Sequence, residues 1–268
     1  MAVDFFALFN LHQNVCSVPI SEEMLQNFLQ QQEADLRTML SEVDAIQKQR
    51  AERLKQRYGS QLDGLRGKKV LFLGDSITSD NLGYRRAVTE TAELVGVDGS
   101  VSGGTSSTLI QMVKRQIEKE KPDLISLMIG SNDSVSVERE DFHQVGISEY
   151  ERNVSAILRW AKQQDAKILL FEIPPVVEER FAKNFSGQSK LQSNLNIERY
   201  NDVLKRLARQ YEIEVVSNGW LSESKDFFEP DGIHLSILGQ KRFAENWLAV
   251  AIKKWKKEPS VKLPPRQG

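Results

Sequence analysis

The sequence predicts a three-layer α/β/α fold with a five-stranded parallel sheet of the flavodoxin type, preceded by an N-terminal helical extension. From residue 68 onward, short apolar runs alternate with amphipathic segments of helical length, which is typical of parallel strands buried on both faces. The chain has 268 residues, enough for one such sheet with its helices. Residues 1–66 are instead rich in Gln, Glu, Leu, Lys and Arg. We therefore expect an extension (1–66), an α/β domain (67–256) and a short basic tail (257–268).

The extension carries a heptad-like pattern. Leu29, Leu36 and Val43 are seven residues apart, and Met39 and Ile46 form a second, interleaved pair with the same spacing. Two heptads are too few to define a coiled coil. Two alternatives stay open: a long amphipathic helix that packs on its own domain, or one that pairs with a partner helix and gives a homodimer.

The elements of the domain follow from the apolar pattern and its breaks. We predict strands at Val70–Leu73, Val97–Val101, Leu124–Ile129, Lys167–Phe171 and Ile213–Val216. We predict helices at Tyr84–Leu94, Ser107–Lys119, Ser148–Gln164, Leu195–Tyr211 and Leu238–Trp255. Long loops remain at Val176–Asn194, a candidate lid, and Ser217–Leu235. Ligands bind beyond the carboxyl ends of the strands in such sheets, so those ends are where chemistry is expected.

Composition limits the partners and the setting. The 36 Lys and Arg balance 37 Asp and Glu, giving a net charge of −1, which disfavours nucleic acid and anionic membranes as partners. We find no apolar run near the length of about 20 residues that spans a bilayer, and the N-terminus lacks the basic region of a secretory signal. Cys16 is the only cysteine, so no intrachain disulfide can form. Together these features predict a cytoplasmic protein.

Short polar motifs follow the first three strands. Ser76 in the segment 74–78 (GDSIT) would expose a hydroxyl at a strand end, but serine needs an adjacent base to act as a nucleophile. The glycines of 102–105 (SGGT) let a backbone N–H approach a substrate oxygen, and the amide of Asn132 in 130–133 (GSND) can donate to an oxyanion. Each motif alone has an ordinary alternative, a helix cap or a turn.

The fifth strand is followed by a candidate base. Asp231 precedes His234 by three residues, a spacing at which the carboxylate can hold the imidazole in one tautomer. The other histidines are His12, in the extension, and His143, which we expect in a surface loop. His234 is therefore the better candidate for a general base at the strand-end crevice.

These four blocks together resemble the SGNH hydrolases, also called the GDSL esterase/lipase family. The matching segments are 74–78, 102–103, 130–133 and 231–234, in the family's order, within a region from Lys68 to Trp255. Where many members have Asn-x-Gly before the second block, this chain has Asp-Gly-Ser at 98–100, which bears on the loop geometry around Gly103.

The resemblance implies serine ester hydrolysis without a metal or other cofactor. By position, Ser76 would be the nucleophile, His234 the base and Asp231 the residue that orients it. The oxyanion hole would consist of the backbone N–H groups of Ser76 and Gly103 and the side-chain amide of Asn132. The partner would be a small-molecule ester.

Competing functions are weaker. A nucleotide-binding sheet would show a glycine-rich turn after the first strand, yet Gly74 is the only glycine between Lys69 and Leu82. An inactive scaffold acting through the N-terminal helix would normally have lost its catalytic side chains, which are all present here. The polar segment 176–194 favours short acyl groups, such as acetyl esters of sugars or small alcohols, with lysophospholipids or thioesters as the alternative.

Overall fold

Five parallel strands form the centre of the protein, as a computed structural model of residues 41–139 and 141–256 shows. Seven strands occur within these residues: β1 (Lys69–Gly74), β2 (Val95–Asp98), β3 (Leu124–Met128), β4 (Ser136–Val137), β5 (Lys167–Phe171), β6 (Lys190–Leu191) and β7 (Val215–Val216). The main sheet has the order β2-β1-β3-β5-β7 with every pair parallel, and β4 pairs antiparallel with β6. The predicted fold class is confirmed.

Helices cover both faces of the sheet. They are α1 (41–58), α2 (Ser76–Ser79), α3 (Tyr84–Ala92), α4 (Ser106–Ile110), α5 (Val113–Glu120), α6 (Ile147–Gln163), α7 (Glu178–Phe185), α8 (Asn194–Tyr211) and α9 (Ile237–Lys256). Within the described ranges, none of these helices is both long and apolar enough to cross a membrane.

Alternation along β1 explains the three layers. Leu71 and Leu73 point to one face, where they join a buried cluster with residues of α4, α5, α6 and α8. Val70 and Phe72 point to the other face, where they pack with residues of α1, α3 and α9. On that face the Trp247 ring of α9 lies 5.7 Å from the Phe72 ring. Strands buried on both sides must be apolar throughout, which is why the sequence predicted them well.

The described part of α1 packs on its own domain. Val43, Ala51 and Leu54 are buried, and Leu54 belongs to the cluster that α3 and α9 form on the sheet. Residues 41–58 therefore pack as the first of the two alternatives describes. Cys16, His12, Leu29, Leu36, Met39 and the tail 257–268 lie outside the described residues.

Three elements differ from the sequence expectations. β2 ends at Asp98, three residues before the predicted end, because it is an edge strand whose exposed residues carry no apolar pattern. The predicted helix 107–119 is divided into α4 and α5. The break at 111–112 contains no glycine or proline, so the sequence did not indicate it. The segment 176–194 is not one long loop, since it contains α7 and β6; Phe181 of α7 is buried and its ring lies 4.5 Å from that of Phe185.

Candidate active site

A one-turn helix at the end of β1 presents Ser76. Asp75 is the N-cap of α2, and its Oδ1 accepts a hydrogen bond from the Ile77 N–H at 3.1 Å. A side chain at Gly74 is excluded because its Cβ would lie 2.6 Å from the carbonyl oxygen of Met128 on the neighbouring strand. The chain therefore turns sharply out of the sheet, and Ser76 lies at the carboxyl edge.

His234 and Asp231 complete a hydrogen-bonded series with this serine. Ser76 Oγ lies 2.8 Å from His234 Nε2, and His234 Nδ1 lies 2.5 Å from Asp231 Oδ2. The other carboxylate oxygen of Asp231 accepts hydrogen bonds from the N–H groups of Ile233 and His234, at 3.0 Å each. With Nδ1–H donated to the carboxylate, Nε2 is left to accept the serine proton.

The loop that carries His234 crosses much of the sheet. β7 is three strands from β1, a separation of about 14 Å at the usual strand spacing. Backbone hydrogen bonds fix the returning loop: the N–H of Glu229 donates to the carbonyl of His234, and the N–H of Val177 donates to that of Gly232, both at 2.8 Å. The base therefore reaches Ser76 on a loop braced from both sides.

Asp231 stays ionised in this environment. Burial raises the pKa of its carboxyl group, but the hydrogen bond and charge of His234 and the two backbone N–H donors outweigh burial, so the pKa lies below its usual value. An ionised carboxylate on Nδ1 stabilises the imidazolium that forms when His234 takes the serine proton.

The two candidate oxyanion donors flank Ser76 because β2 and β3 are the neighbours of β1. Asn132 follows β3, and its Nδ2 donates one hydrogen to the carbonyl of Gly104 at 3.0 Å, so the other amide hydrogen remains for a substrate oxygen. Gly103 follows β2 and has a φ of +69°. The loop that departs from the family pattern is anchored to β1, since the N–H of Val101 donates to the carbonyl of Gly74 at 3.0 Å.

Two buried carboxyl groups next to the site had no role in the sequence interpretation. Burial raises the pKa of both Asp75 and Asp133 to about 6, and the charge of Asp75 adds to the shift at Asp133. Both oxygens of Asp133 accept the N–H of Ser106, at 2.9 and 3.0 Å, which fixes the start of α4. The sequence feature that could have indicated them is their position inside the GDSIT and GSND segments.

His143 lies apart from these residues. It is partly buried, its Nδ1 lies 3.1 Å from Ser136 Oγ, and its ring lies 5.6 Å from that of Tyr200. Burial lowers the pKa of its imidazole. His143 therefore contacts Ser136 and Tyr200 and none of the three candidate catalytic side chains.

A serine, histidine and aspartate in hydrogen-bonded series at the carboxyl edge of a parallel α/β sheet define the class of serine hydrolases. The sequence model of the GDSL-like lipase/acylhydrolase family matches residues 72–242, and the chain belongs to this family. The resemblance seen in the sequence is confirmed.

Relatives with assigned names are esterases. The chain is 28% identical over 228 residues to a multidomain esterase of Ruminococcus flavefaciens, with 67% of this chain but only 28% of that protein in the match. It is 23% identical over 192 residues to esterase TesA of Pseudomonas aeruginosa, covering 66% of this chain and 84% of TesA. These relatives and the family support the prediction of a carboxylic ester hydrolase.

Solved structures share the fold. A crystal structure of TesA aligns with a TM-score of 0.55 at 22% identity, covering 70% of this chain and 99% of TesA. The acetyl xylan esterase AlAXEase aligns with a TM-score of 0.55 at 22% identity, covering 68% of this chain and 98% of that chain.

Proposed function

We propose that this chain hydrolyses carboxylic esters through an acyl-enzyme on Ser76. His234 takes the proton of Ser76 as the hydroxyl attacks the ester carbonyl, and Asp231 stabilises the resulting imidazolium. The N–H groups of Ser76 and Gly103 and the amide of Asn132 bind the oxyanion. His234 then protonates the leaving alcohol, and a water molecule repeats the sequence on the acyl-enzyme. The observation that carries this proposal is the hydrogen-bonded series of Ser76, His234 and Asp231.

The proposed substrates are short-acyl esters, above all acetyl esters of sugars or small alcohols. A cavity of about 600 Å³ lies at the carboxyl ends of β5 and β7. Phe228 of the His234 loop is part of its lining, whereas Ser76 and His234 are not. Its lining includes Glu172, Glu198 and Lys205, which suit hydroxyl groups better than a long alkyl chain. The acetyl xylan esterase among the structural neighbours agrees with this class of ester.

A second candidate is a longer acyl group, as in a lysophospholipid or a thioester. A cavity of about 560 Å³ is lined in part by Phe181, Leu191 and Leu195. Leu195 is 62% exposed, so an acyl chain on this surface would remove apolar area from water, at about 0.8 kcal/mol per methylene.

Hydrolysis of p-nitrophenyl acetate, butyrate and octanoate tests the reaction and ranks the two candidates. We expect turnover to fall with chain length and Ser76→Ala to abolish it. Ser148→Ala is the matched control, because Ser148 is an exposed serine of α6. An enzyme inactive on all three esters, or a Ser76→Ala variant with wild-type activity, would contradict the proposal. A preference for octanoate would favour the longer acyl group.

The proposal keeps four further expectations from the sequence. These are the boundaries at residues 66 and 256, with α1 of the extension packed on the domain that follows it, the cytoplasmic location, the exclusion of nucleic acid as a partner, and a homodimer formed through the N-terminal helix. The single cysteine supports a reducing compartment, and the net charge of −1 supports the exclusion of nucleic acid. Light scattering on the full chain tests the dimer, and a monomer mass at micromolar concentration would exclude it.

A further inference from the structure

The turn that presents Ser76 depends on its neighbours for its position. α2 has four residues, too few for a helix that is stable by itself. It runs into the loop 80–83, where the N–H of Asp80 donates to the carbonyl of Ser76 at 3.0 Å and the N–H of Gly83 donates to that of Asp80 at 2.9 Å. Whatever holds this loop therefore also holds the nucleophile.

Two buried side chains of α1 hold that loop. Gln47 Nε2 donates to the carbonyl oxygens of Asn81 and Gly83, at 2.9 and 3.2 Å. Arg50 Nη1 donates to the carbonyl of Leu82 at 2.7 Å. Both side chains are nearly inaccessible, at 0% and 7% exposure, so water does not compete for these carbonyls.

Arg50 also interacts electrostatically with a partly buried acid, Asp80. The carboxylate oxygens of Asp80 accept hydrogen bonds from the Leu82 N–H at 2.8 Å and from Gln240 Nε2 at 3.1 Å. Burial raises the pKa of Asp80, while the charges of His234 and Arg50 lower it. A buried guanidinium is costly without a nearby negative charge, and Asp80 supplies one.

Gln240 extends the network to the element that follows His234. Its Nε2 also donates to the carbonyl of Ile77 in the nucleophile turn at 3.4 Å, and its Oε1 accepts the N–H of Tyr84 at 2.9 Å. Gln240 is 1% exposed and lies in the first turn of α9. One buried polar network thus joins α1, the 80–83 loop, the Ser76 turn and α9.

We propose that Arg50 and Gln47 are positioning residues for the Ser76 nucleophile, acting through the carbonyl groups of residues 81–83. The family match begins at residue 72, so these residues make the preceding helix part of the catalytic framework of this chain. The inference rests on the proposed ester hydrolysis at Ser76. A displaced turn would change the distance from Ser76 Oγ to His234 Nε2 and so slow acylation, while the surfaces that bind the ester stay in place.

The test compares Arg50→Met and Arg50→Lys with the wild type. Active sites are counted by the amplitude of labelling with a fluorophosphonate probe, and kcat and KM for p-nitrophenyl acetate are then expressed per labelled site. We expect Arg50→Met to lower kcat and the labelling rate by about 10- to 100-fold with KM changed less than about twofold. Arg50→Lys keeps a charge and a donor, and we expect it to recover most of both rates.

Arg53→Met is the matched control, because Arg53 is an exposed arginine of the same helix. We expect it to leave kcat, KM and labelling unchanged. Where Arg50→Met does not fold, as judged by circular dichroism, Gln47→Leu is the second variant. It removes the donors to Asn81 and Gly83 and one acceptor of Arg50 Nη1, which keeps its bond to the carbonyl of Leu82, and the same drop in kcat and labelling rate is expected.

The outcomes separate this inference from the function on which it rests. A folded Arg50→Met with wild-type kcat and labelling rate per site overturns the positioning role, as does an equal loss in Arg53→Met. A loss that appears only in the number of labelled sites also overturns it, because that result indicates simple destabilisation. A wild-type protein that neither hydrolyses esters nor reacts with the probe overturns the proposed function itself.

Discussion

Asn132 shows how a single side chain can be both fixed and available. Its Nδ2 donates to the carbonyl of Gly104, which leaves one amide hydrogen for a developing oxyanion. We expect Asn132→Ala to lower kcat for p-nitrophenyl acetate by about 10²- to 10³-fold with little change in KM, because the donor acts mainly in the transition state. Asn153→Ala, which removes an amide bound to the hydroxyls of Ser106 and Ser107, is the control. Equal kinetics in the two variants would remove Asn132 from the oxyanion hole.

The buried carboxyl groups of Asp75 and Asp133 make stability depend on pH. Both have a folded-state pKa of about 6, above the ordinary value of 3.8, so the folded state binds more protons than the unfolded state between these values. Stability therefore falls as pH rises through about 4 to 6, by up to roughly 3 kcal/mol per group. We expect Asp133→Asn to reduce the loss of unfolding free energy between pH 4.5 and 7, measured by urea denaturation.

Asp63→Asn is the control for that measurement, because it replaces an aspartate whose side chain is 64% exposed. Asp231 acts in the opposite sense, since its folded-state pKa is lowered and its contribution is lost only at more acidic pH. An identical pH dependence in Asp133→Asn and the wild type would contradict the shifted pKa of Asp133.

At the scale of loops and helices, substitutions at two glycines distinguish the effect of backbone strain from that of a steric clash. Gly103 has a φ of +69° and, among the described residues, no atom within 4 Å of an added Cβ. Gly232 has a φ of +78°, and its Cβ would lie 2.5 Å from the backbone oxygen of Val177. We expect Gly103→Ala to cost about 1–2 kcal/mol of stability from backbone strain and to lower kcat as well, because its N–H is a proposed oxyanion donor.

Gly232→Ala should instead move the loop that holds Asp231 and His234 against Ser76. We expect kcat to fall by about 100-fold, because the base loses its alignment with the nucleophile. Steady-state kinetics and thermal melting of the two alanine variants measure both effects. If Gly232→Ala kept wild-type kcat, the close contact with Val177 would not control the position of the base.

The accuracy with which the sequence predicts a strand or helix depends on whether buried apolar residues mark it. β1, β3 and β5 are buried on both faces, so apolar residues mark them directly, whereas β2 is an exposed edge and its ends were misplaced. The sequence did not predict α7, because most of its residues are polar. Its apolar packing comes from the ring contact of Phe181 with Phe185, one turn later.

The sequence likewise predicted some residues of the candidate site and not others. Local motifs identified Ser76, Asp231 and His234, because a nucleophile, a base and its orienting acid have recognisable spacing and strand-end positions. No local motif could predict the roles of Gln47 and Arg50, because both side chains bind carbonyl groups more than 30 residues away in the chain. Such contacts exist only once α1 has packed on the domain.

At the scale of the whole molecule, α1 contributes to the core as well as to the site. Val43 and Leu54 are 0% and 3% exposed. Tyr58 donates its hydroxyl to the carbonyl of Glu245 at 3.0 Å, and Arg57 Nη1 lies 2.9 Å from the carboxylate of the same residue. Burying side chains the size of valine or leucine stabilises a protein by about 1.5–3 kcal/mol each. Removal of this helix should therefore cost several kcal/mol.

Two truncated chains test the contribution of α1 to the whole. A chain that starts at residue 41 retains every contact described for α1 and serves as the reference. A chain that starts at residue 68 exposes the surface of α3 and α9 that α1 covers, and we expect it to melt roughly 10–20 °C lower or to fail to fold. Equal melting temperatures for the two truncated chains would instead establish residues 67–256 as an independent domain, because the buried contacts of α1 would then contribute nothing to its stability.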